Sequence, residues 1–296
     1  MLGKAFCPCH VTGFFKTQTR TRPEFQGSLG AGFSIKEGIT TRVKVTRSEK
    51  SNFKIQVKGY QPDNTVVSEF VIKEFLKFVK GNFFVEVEHN ITMPVGYGLG
   101  CSAAVALSLA LALNQALNTD LTNIQVGVIA HNAEIHCKTG LGDVLSSFHG
   151  GFEIRTKQGA PGIGKLKKIK SNSSVLIICF SPISTKKFIS EKMESVNGLG
   201  GKMVNKLIKS HNNNEFLDMS IEFAKYIQIV TPKMYSVIHD LREIGIRSGV
   251  AIFGETVFTL VPNSMVANVL EILKKYEGIV IRSEIDNVGA KVAYTN

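Results

Sequence analysis

Between Pro94 and Ala104 the chain carries three glycines in five residues, Gly96, Gly98 and Gly100, followed by Cys101, Ser102 and Ala103. Glycines at that density let a backbone turn tightly and approach a ligand with no Cβ in the way. The residue pattern predicts a strand before the loop and a helix over Ser102 to Leu117 after it. The free amides and positive dipole end of such a helix start bind phosphate. The Ser102 hydroxyl is then available to cap the helix or to contact a metal bound to the phosphates. The same spacing also suits an ordinary strand–loop–helix turn with a serine cap, so the loop alone leaves both readings open. It is not a Walker A loop, because no Gly-Lys-Ser/Thr ends it. Nor is it a dinucleotide fingerprint, whose third glycine position is occupied by Cys101.

Phosphoryl transfer to an alcohol also needs a carboxylate to orient the hydroxyl and accept its proton, and a divalent cation to neutralise phosphate charge. Asp143 closes the segment Thr139-Gly140-Leu141-Gly142-Asp143, where the glycines let a carboxylate project from a loop into a cleft. Glu134 lies near the end of the helix predicted over Thr122 to Cys137, with Thr122 as its N-cap. Taken alone, Asp143 equally suits the N-cap of a short segment from Val144 to Phe148, and Glu134 a solvated helix face. His131, His136 and His149 flank this region and read as structural.

The elements that must position these residues follow from periodicity. Strands are expected at Phe33 to Ile35, Thr40 to Val45, Phe53 to Val57 and Phe83 to Val87, and a helix at Val66 to Val79. The helix after the glycine loop is apolar nearly all round and therefore buried on most sides. Beyond Gly150-Gly151 the pattern changes. Strands at Phe152 to Arg155 and Val175 to Phe180 precede helices at Met193 to Ser210, Glu215 to Ile229 and Pro232 to Ile244. A hairpin at Val250 to Val261 turns at Gly254-Glu255. A helix over Ser264 to Tyr276 and short strands at Ile279 to Arg282 and Lys291 to Ala293 complete an α+β chain of two lobes.

With 296 residues, 44% of them hydrophobic and 20% charged, the chain can bury a sizeable core and is not disordered. No apolar run reaches the roughly 18 residues that span a bilayer, and no apolar stretch of signal-peptide type follows Lys4. A membrane partner is not expected, and the protein reads as cytoplasmic. Five scattered cysteines argue against a disulfide framework. A net charge of +11 suits anionic ligands of many kinds and does not choose among them.

The segment Pro94-Val95-Gly96-Tyr97-Gly98-Leu99-Gly100-Cys101-Ser102-Ala103 resembles the central signature of the GHMP kinases, Pro-x3-Gly-Leu-Gly-Ser-Ser-Ala. Pro94, Gly98, Leu99, Gly100, Ser102 and Ala103 match it, and Cys101 stands where the family often has serine. The resemblance implies a two-lobe fold, a ribosomal-protein-like N-terminal lobe at 1–160 and a ferredoxin-like C-terminal lobe at 161–296. It further implies ATP phosphates held by Gly96, Gly98, Leu99, Gly100, Cys101, Ser102 and Ala103, and Mg²⁺ held by Ser102 and Glu134. Asp143 becomes the catalytic base or hydroxyl-orienting group. At the N-terminus, Cys9 and His10 stand where many members have Gly and Lys. The versions His10-Val11-Thr12-Gly13-Phe14-Phe15 and Gly27-Ser28-Leu29-Gly30 resemble the archaeal pantoate kinase branch. So do Thr139 to Asp143 and Phe253-Gly254-Glu255-Thr256-Val257-Phe258.

That branch implies pantoate as acceptor, phosphorylated at its primary hydroxyl toward coenzyme A. A carboxylate substrate needs a charged or N–H-rich pocket, for which His10, Ser28, Arg20 and Arg22 are candidates. Cys9 would be strained if its backbone had to adopt φ > 0. Other GHMP acceptors (homoserine, mevalonate or a sugar) are the first alternative, and a non-catalytic ligand sensor of the same fold is the second. An RNA-binding protein is the third, but no arginine-rich arm or interleaved aromatic–basic strand is present, so nucleic acid is not expected. A homodimer is compatible with the sequence, and no feature demonstrates one.

Overall fold

The computed structural model describes residues 1–18, 20–183 and 185–293. The chain opens with a hairpin of two long strands, β1 (Leu2–Gln18) and β2 (Gly27–Arg47). The two short stretches expected within β2 are one strand. β3 (Asn52–Gly59), α1 (Val66–Leu76) and β4 (Phe83–Ile91) then make a crossover that sets β3 parallel to β4. The loop carrying the glycines leads into α2 (Cys101–Leu117), then α3 (Asn123–Cys137) and the short α4 (Asp143–His149). Thr122 accepts from the Gln125 amide while Gln125 reaches back to the Thr122 amide, a capping box at the expected helix start. Strands β5 (Phe152–Lys157) and β6 (Lys165–Ile169) follow.

The second half contains β7 (Ser174–Pro182), α5 (Thr185–Ser210), α6 (Asn213–Tyr226), α7 (Pro232–Glu243), β8 (Gly249–Val250) and β9 (Gly254–Val261). It ends with α8 (Val266–Leu273), β10 (Ile279–Glu284) and β11 (Lys291–Val292). The hairpin expected at Val250 to Val261 is shorter than its apolar run. β8 stops at Val250, and β9 starts at Gly254, inside the expected turn.

Two sheets result. The first runs β11-β1-β2-β4-β3, and β2 also pairs with β5, which pairs with β6. On the edge away from β1, strand β2 can serve two partners because of its length: Ile39–Arg47 pairs with β4, and Gly30–Phe33 with β5. The second sheet is antiparallel, β10-β7-β9-β8. The tail thus returns to the first sheet, where Ala5 pairs with Val292. Phe258 of the second sheet meets Phe33 of the first with ring centroids 5.1 Å apart, and Phe216 from α6 stacks on Phe258 at 5.9 Å. These aromatic contacts join the two sheets through one apolar core.

One detail of β1 matters for the site. Its pairing with β2 shifts register between Pro8 and Cys9 and again between Thr12 and Phe14. Such bulges re-aim side chains. The stretch between them carries His10 and Thr12, both buried.

Candidate active site

The glycine loop is built on left-handed backbone: φ is +87° at Gly96, +75° at Gly98 and +62° at Gly100. A side chain at any of these would be strained. Three neighbours pin the loop. The His10 amide donates to the Leu99 carbonyl at 3.1 Å, the Ile183 amide to Gly96 at 2.8 Å. The Thr256 hydroxyl donates to the Tyr97 carbonyl at 2.9 Å. The loop is therefore preorganised by both sheets. Gly100 is the N-cap residue of α2, so the first-turn amides of Cys101, Ser102 and Ala103 have no acceptor within the helix. The Cys101 thiol turns inward, 3.6 Å from the Pro94 carbonyl and 3.8 Å from the Cys9 thiol, which leaves its amide at the loop. Cys9 lies in extended β1 and is not among the positive-φ residues, so the cysteine there carries no backbone strain.

Ser102 does not cap α2. Its hydroxyl donates to Glu134 Oε2 at 3.1 Å. Glu134 is not a solvated face residue but is buried, with Oε1 accepting from the Thr139 hydroxyl. Burial pushes the Glu134 carboxyl up to about 7, with nearby Asp143 adding to the rise and the Thr139 hydroxyl opposing it. A cation beside it would restore the ionised form. Glycine at 140 is a steric requirement, since a Cβ there would lie 2.1 Å from Glu134 Oε2 and 3.7 Å from Asp143 Oδ2. The two carboxylates thus face each other across Gly140.

Asp143 is the first residue of α4, and the N-cap position belongs to Gly142, so its carboxylate is free of capping duty. Asp143 Oδ1 receives His10 Nδ1 at 2.9 Å and the Thr12 hydroxyl at 3.2 Å. Burial raises the Asp143 carboxyl, but the His10 contact, Arg155 and Thr12 outweigh it and hold the group below its usual range. Behind His10 lies a second, wholly buried layer. Glu153 Oε1 is 3.1 Å from His10 Nε2, and Arg155 Nη1 donates to the same oxygen at 2.7 Å and to Ser146 at 2.9 Å. Arg155 Nε is buried with no hydrogen-bond partner.

Ser28 is buried at the start of β2; a Cβ on Gly142 would lie 2.2 Å from its hydroxyl and 3.1 Å from Arg155 Nε. His10, Ser28 and Asp143 are therefore gathered with Thr12, Glu153 and Arg155. Arg20 and Arg22 are exposed and line a surface pocket of about 390 Å³ with Phe25, Lys157 and Gln158. Arg22 pairs with Glu24 and lies 4.9 Å over the Phe25 ring. His131 Nε2 lies 3.2 Å from the Gln26 carbonyl, tying α3 to the loop before Ser28.

Sequence reasoning missed Glu153 and Arg155. Their signal is present: in the strand expected at Phe152 to Arg155, two opposite charges stand at i and i+2 and so share one face. Among the described residues, no group of three or more His, Cys, Asp or Glu side chains is arranged to hold a metal. No described helix is long and apolar enough to cross a membrane.

Residues 64–151 match the family described as GHMP kinases N terminal domain. The pantoate kinase of Methanocaldococcus jannaschii is 30% identical over 271 residues, which cover 91% of this chain and 96% of that protein. The pantoate kinase of Thermococcus kodakarensis is 28% identical, covering 88% of each chain. A solved structure described as a phosphotransferase related to the CoA biosynthesis pathway superposes with a TM-score of 0.89 at 26% identity, over 99% of both chains. Likeness of this extent spans nearly the whole chain, including every segment that reaches Asp143, and identifies the chain as a member of the GHMP kinase family, on the branch that holds the pantoate kinases.

Proposed function

We propose that this chain transfers the γ-phosphoryl group of ATP to the primary hydroxyl of pantoate, giving 4-phosphopantoate for coenzyme A synthesis. One observation carries the reading: Asp143 has one oxygen saturated by His10 and Thr12 and the other turned toward the Ser102–Glu134 pair. An acceptor hydroxyl bound at Oδ2 then lies between the catalytic carboxylate and the phosphate-holding helix start.

The amides of Cys101, Ser102 and Ala103, with the turns at Gly96, Gly98 and Gly100, cradle the terminal phosphates. Ser102 and Glu134 are the oxygens fitted to Mg²⁺, which when bound neutralises phosphate charge and offsets the burial of Glu134. Asp143 orients the acceptor hydroxyl. Because its carboxyl is held acidic, it accepts the proton late, as the P–O bond forms, in keeping with a loose transition state. Thr12 and His10 keep Oδ1 occupied so that Oδ2 alone faces the acceptor. Arg155 Nε, unpaired beside Ser28, is suited to the acceptor carboxylate, since a buried charge must be paired. Arg20 and Arg22 attract the anion at the surface. The two sheets form the walls of the cleft, with β6 and β11 of the second half belonging to the first sheet.

An ADP-release assay over a panel of hydroxy acids tests the reading. Pantoate is expected to give the largest kcat/KM. Faster turnover of homoserine or mevalonate would overturn the choice of acceptor.

A further inference from the structure

We propose that Glu153 is a positioning residue for the transfer, which holds His10 as an imidazolium against Asp143 and so keeps the reacting carboxylate ionised and aimed. The inference rests on the kinase reading for its kinetic meaning, but the protonation state at its centre belongs to the substrate-free protein.

The geometry leaves His10 little choice. Its ring is buried, and both nitrogens face carboxylate oxygens: Nδ1 lies 2.9 Å from Asp143 Oδ1, and Nε2 lies 3.1 Å and 3.3 Å from the two Glu153 oxygens. A neutral imidazole has one N–H, so its other nitrogen would set a lone pair against a carboxylate. Only the imidazolium donates on both sides. Every element packed on the ring agrees. From α4 comes Asp143, and from β5 come Glu153 and Arg155. β2 presents Gly32, which has no charge and leaves room for the ring. Cys9 precedes His10 in β1, its thiol pushed up by contact with Cys101 from α2 and by burial, and so neutral. The charges of half-buried Asp143 and buried Glu153 are then balanced by buried His10 and Arg155, whereas a neutral His10 would leave the two carboxylates facing one cation, which is costly so far from water.

Burial alone would push His10 down, yet Glu153 and Asp143 outweigh it and its pKa is raised. The sign follows. The charged form persists to higher pH than in an ordinary histidine and is lost as pH rises through the raised value. Removing the Glu153 charge therefore brings that loss to lower pH. Glu153 does not touch the acceptor: it binds Arg155, Ser146 and His10, and its effect reaches Asp143 through the imidazole.

The experiment combines imidazole ¹⁵N NMR of the substrate-free protein with pH–rate profiles. In the wild-type protein at pH 7 both His10 nitrogens are expected to be protonated, and in Glu153→Gln His10 titrates at lower pH. In turnover, Glu153→Gln is expected to lower kcat about 10- to 100-fold, the size seen when an outer carboxylate that orients a histidine is lost. KM for ATP stays unchanged, and the alkaline limb of kcat moves to lower pH. Glu153→Asp restores part of the rate, and His10→Lys, a cation with a higher pKa, moves the limb upward. A neutral His10 in the wild-type protein at pH 7, or a Glu153→Gln profile superposable on the wild type, would overturn the proposal. If Glu153→Gln does not fold, the wild-type NMR titration and Glu153→Asp still decide. Absence of any pantoate turnover by the wild type would instead count against the acceptor assignment, leaving the NMR result to stand by itself.

Discussion

The glycine loop and the charged cluster around Asp143 adjoin each other, joined where Ser102 meets Glu134, yet different physics holds them in place. The loop is a backbone device drawn from one continuous stretch. Left-handed glycines shape it, donors from His10, Ile183 and Thr256 to its carbonyls pin it, and the first-turn amides of α2 lie open at its end. The cluster is a side-chain device assembled from β1, α4 and β5, in which His10, Glu153 and Arg155 are charges taken out of water and Asp143 is half-buried at their edge. A backbone device tolerates changes of side chain that keep its dihedral angles, as Cys101 shows by turning its thiol away. A buried charge cluster tolerates almost none, because each member is the compensation for another.

The strongest way to break this contrast is Asp143→Asn. We expect kcat to fall about 10²- to 10⁴-fold, the range for a lost general base, while calorimetric ATP affinity holds, because the phosphate loop is untouched. Full activity would remove Asp143 from the mechanism. Arg155→Met is expected to cost about 3–5 kcal/mol of stability in urea denaturation, since it strands Glu153 in the core. An unchanged denaturation midpoint would show that the cluster is not electrostatically coupled.

A third measurement contrasts His10 with His89. His89 is buried beside the neutral hydroxyls of Thr41 and Ser68, and burial pushes it down to about 4. His131 is likewise pushed down to about 4 by burial. Both are neutral when folded, so the unfolded chain takes up the proton first on acidification. Stability is therefore intact above about pH 6.5 and is lost as pH falls toward 4, by about 3 kcal/mol for each histidine. Melting temperature followed over that range should fall, partly offset by Glu134, whose raised carboxyl is stabilised as pH drops below about 7, and His89→Gln should flatten part of the slope.

Gly98→Ala probes the loop. The residue has φ +75°, and its new Cβ would lie 2.5 Å from the Ile252 carbonyl. A cost of about 1–3 kcal/mol is expected, seen as weaker nucleotide binding, while imidazole NMR of His10 is unchanged. The smallest effect belongs to Thr122→Ala, which removes the capping box of α3 at about 1 kcal/mol. Melting temperature should drop and kcat stay put, showing that the helix needs its cap for stability and not for chemistry.

How much of this was legible beforehand differs between the two regions in the same way. The glycine loop, α2 and the Thr122 cap of α3 rest on interactions within a few residues, and their signals stand close together in the chain. The expected turn at Gly254-Glu255 missed because Gly254 belongs to β9, packed against Tyr97 so tightly that a Cβ would lie 2.1 Å from its carbonyl carbon. That contact spans more than 150 residues and leaves no local periodicity. Glu153 and Arg155 escaped for a related reason: a charged pair in a strand looks solvated until β2 and α4 are known to cover it.

By itself the sequence determined the local conformers: where the backbone could turn left-handed, where helices would start, and which runs would seek a core. It also carried a family signature dense enough to point to the glycine loop as a phosphate site and to Asp143 as the acid. Tertiary structure alone decided which charges would meet. Bulges flanking His10 and Thr12, and a β2 long enough to pair with both β4 and β5, bring residues 10, 143, 153 and 155 within hydrogen-bonding distance. Coulomb energy depends on separation in space and on the exclusion of water, and neither quantity exists until the chain has folded.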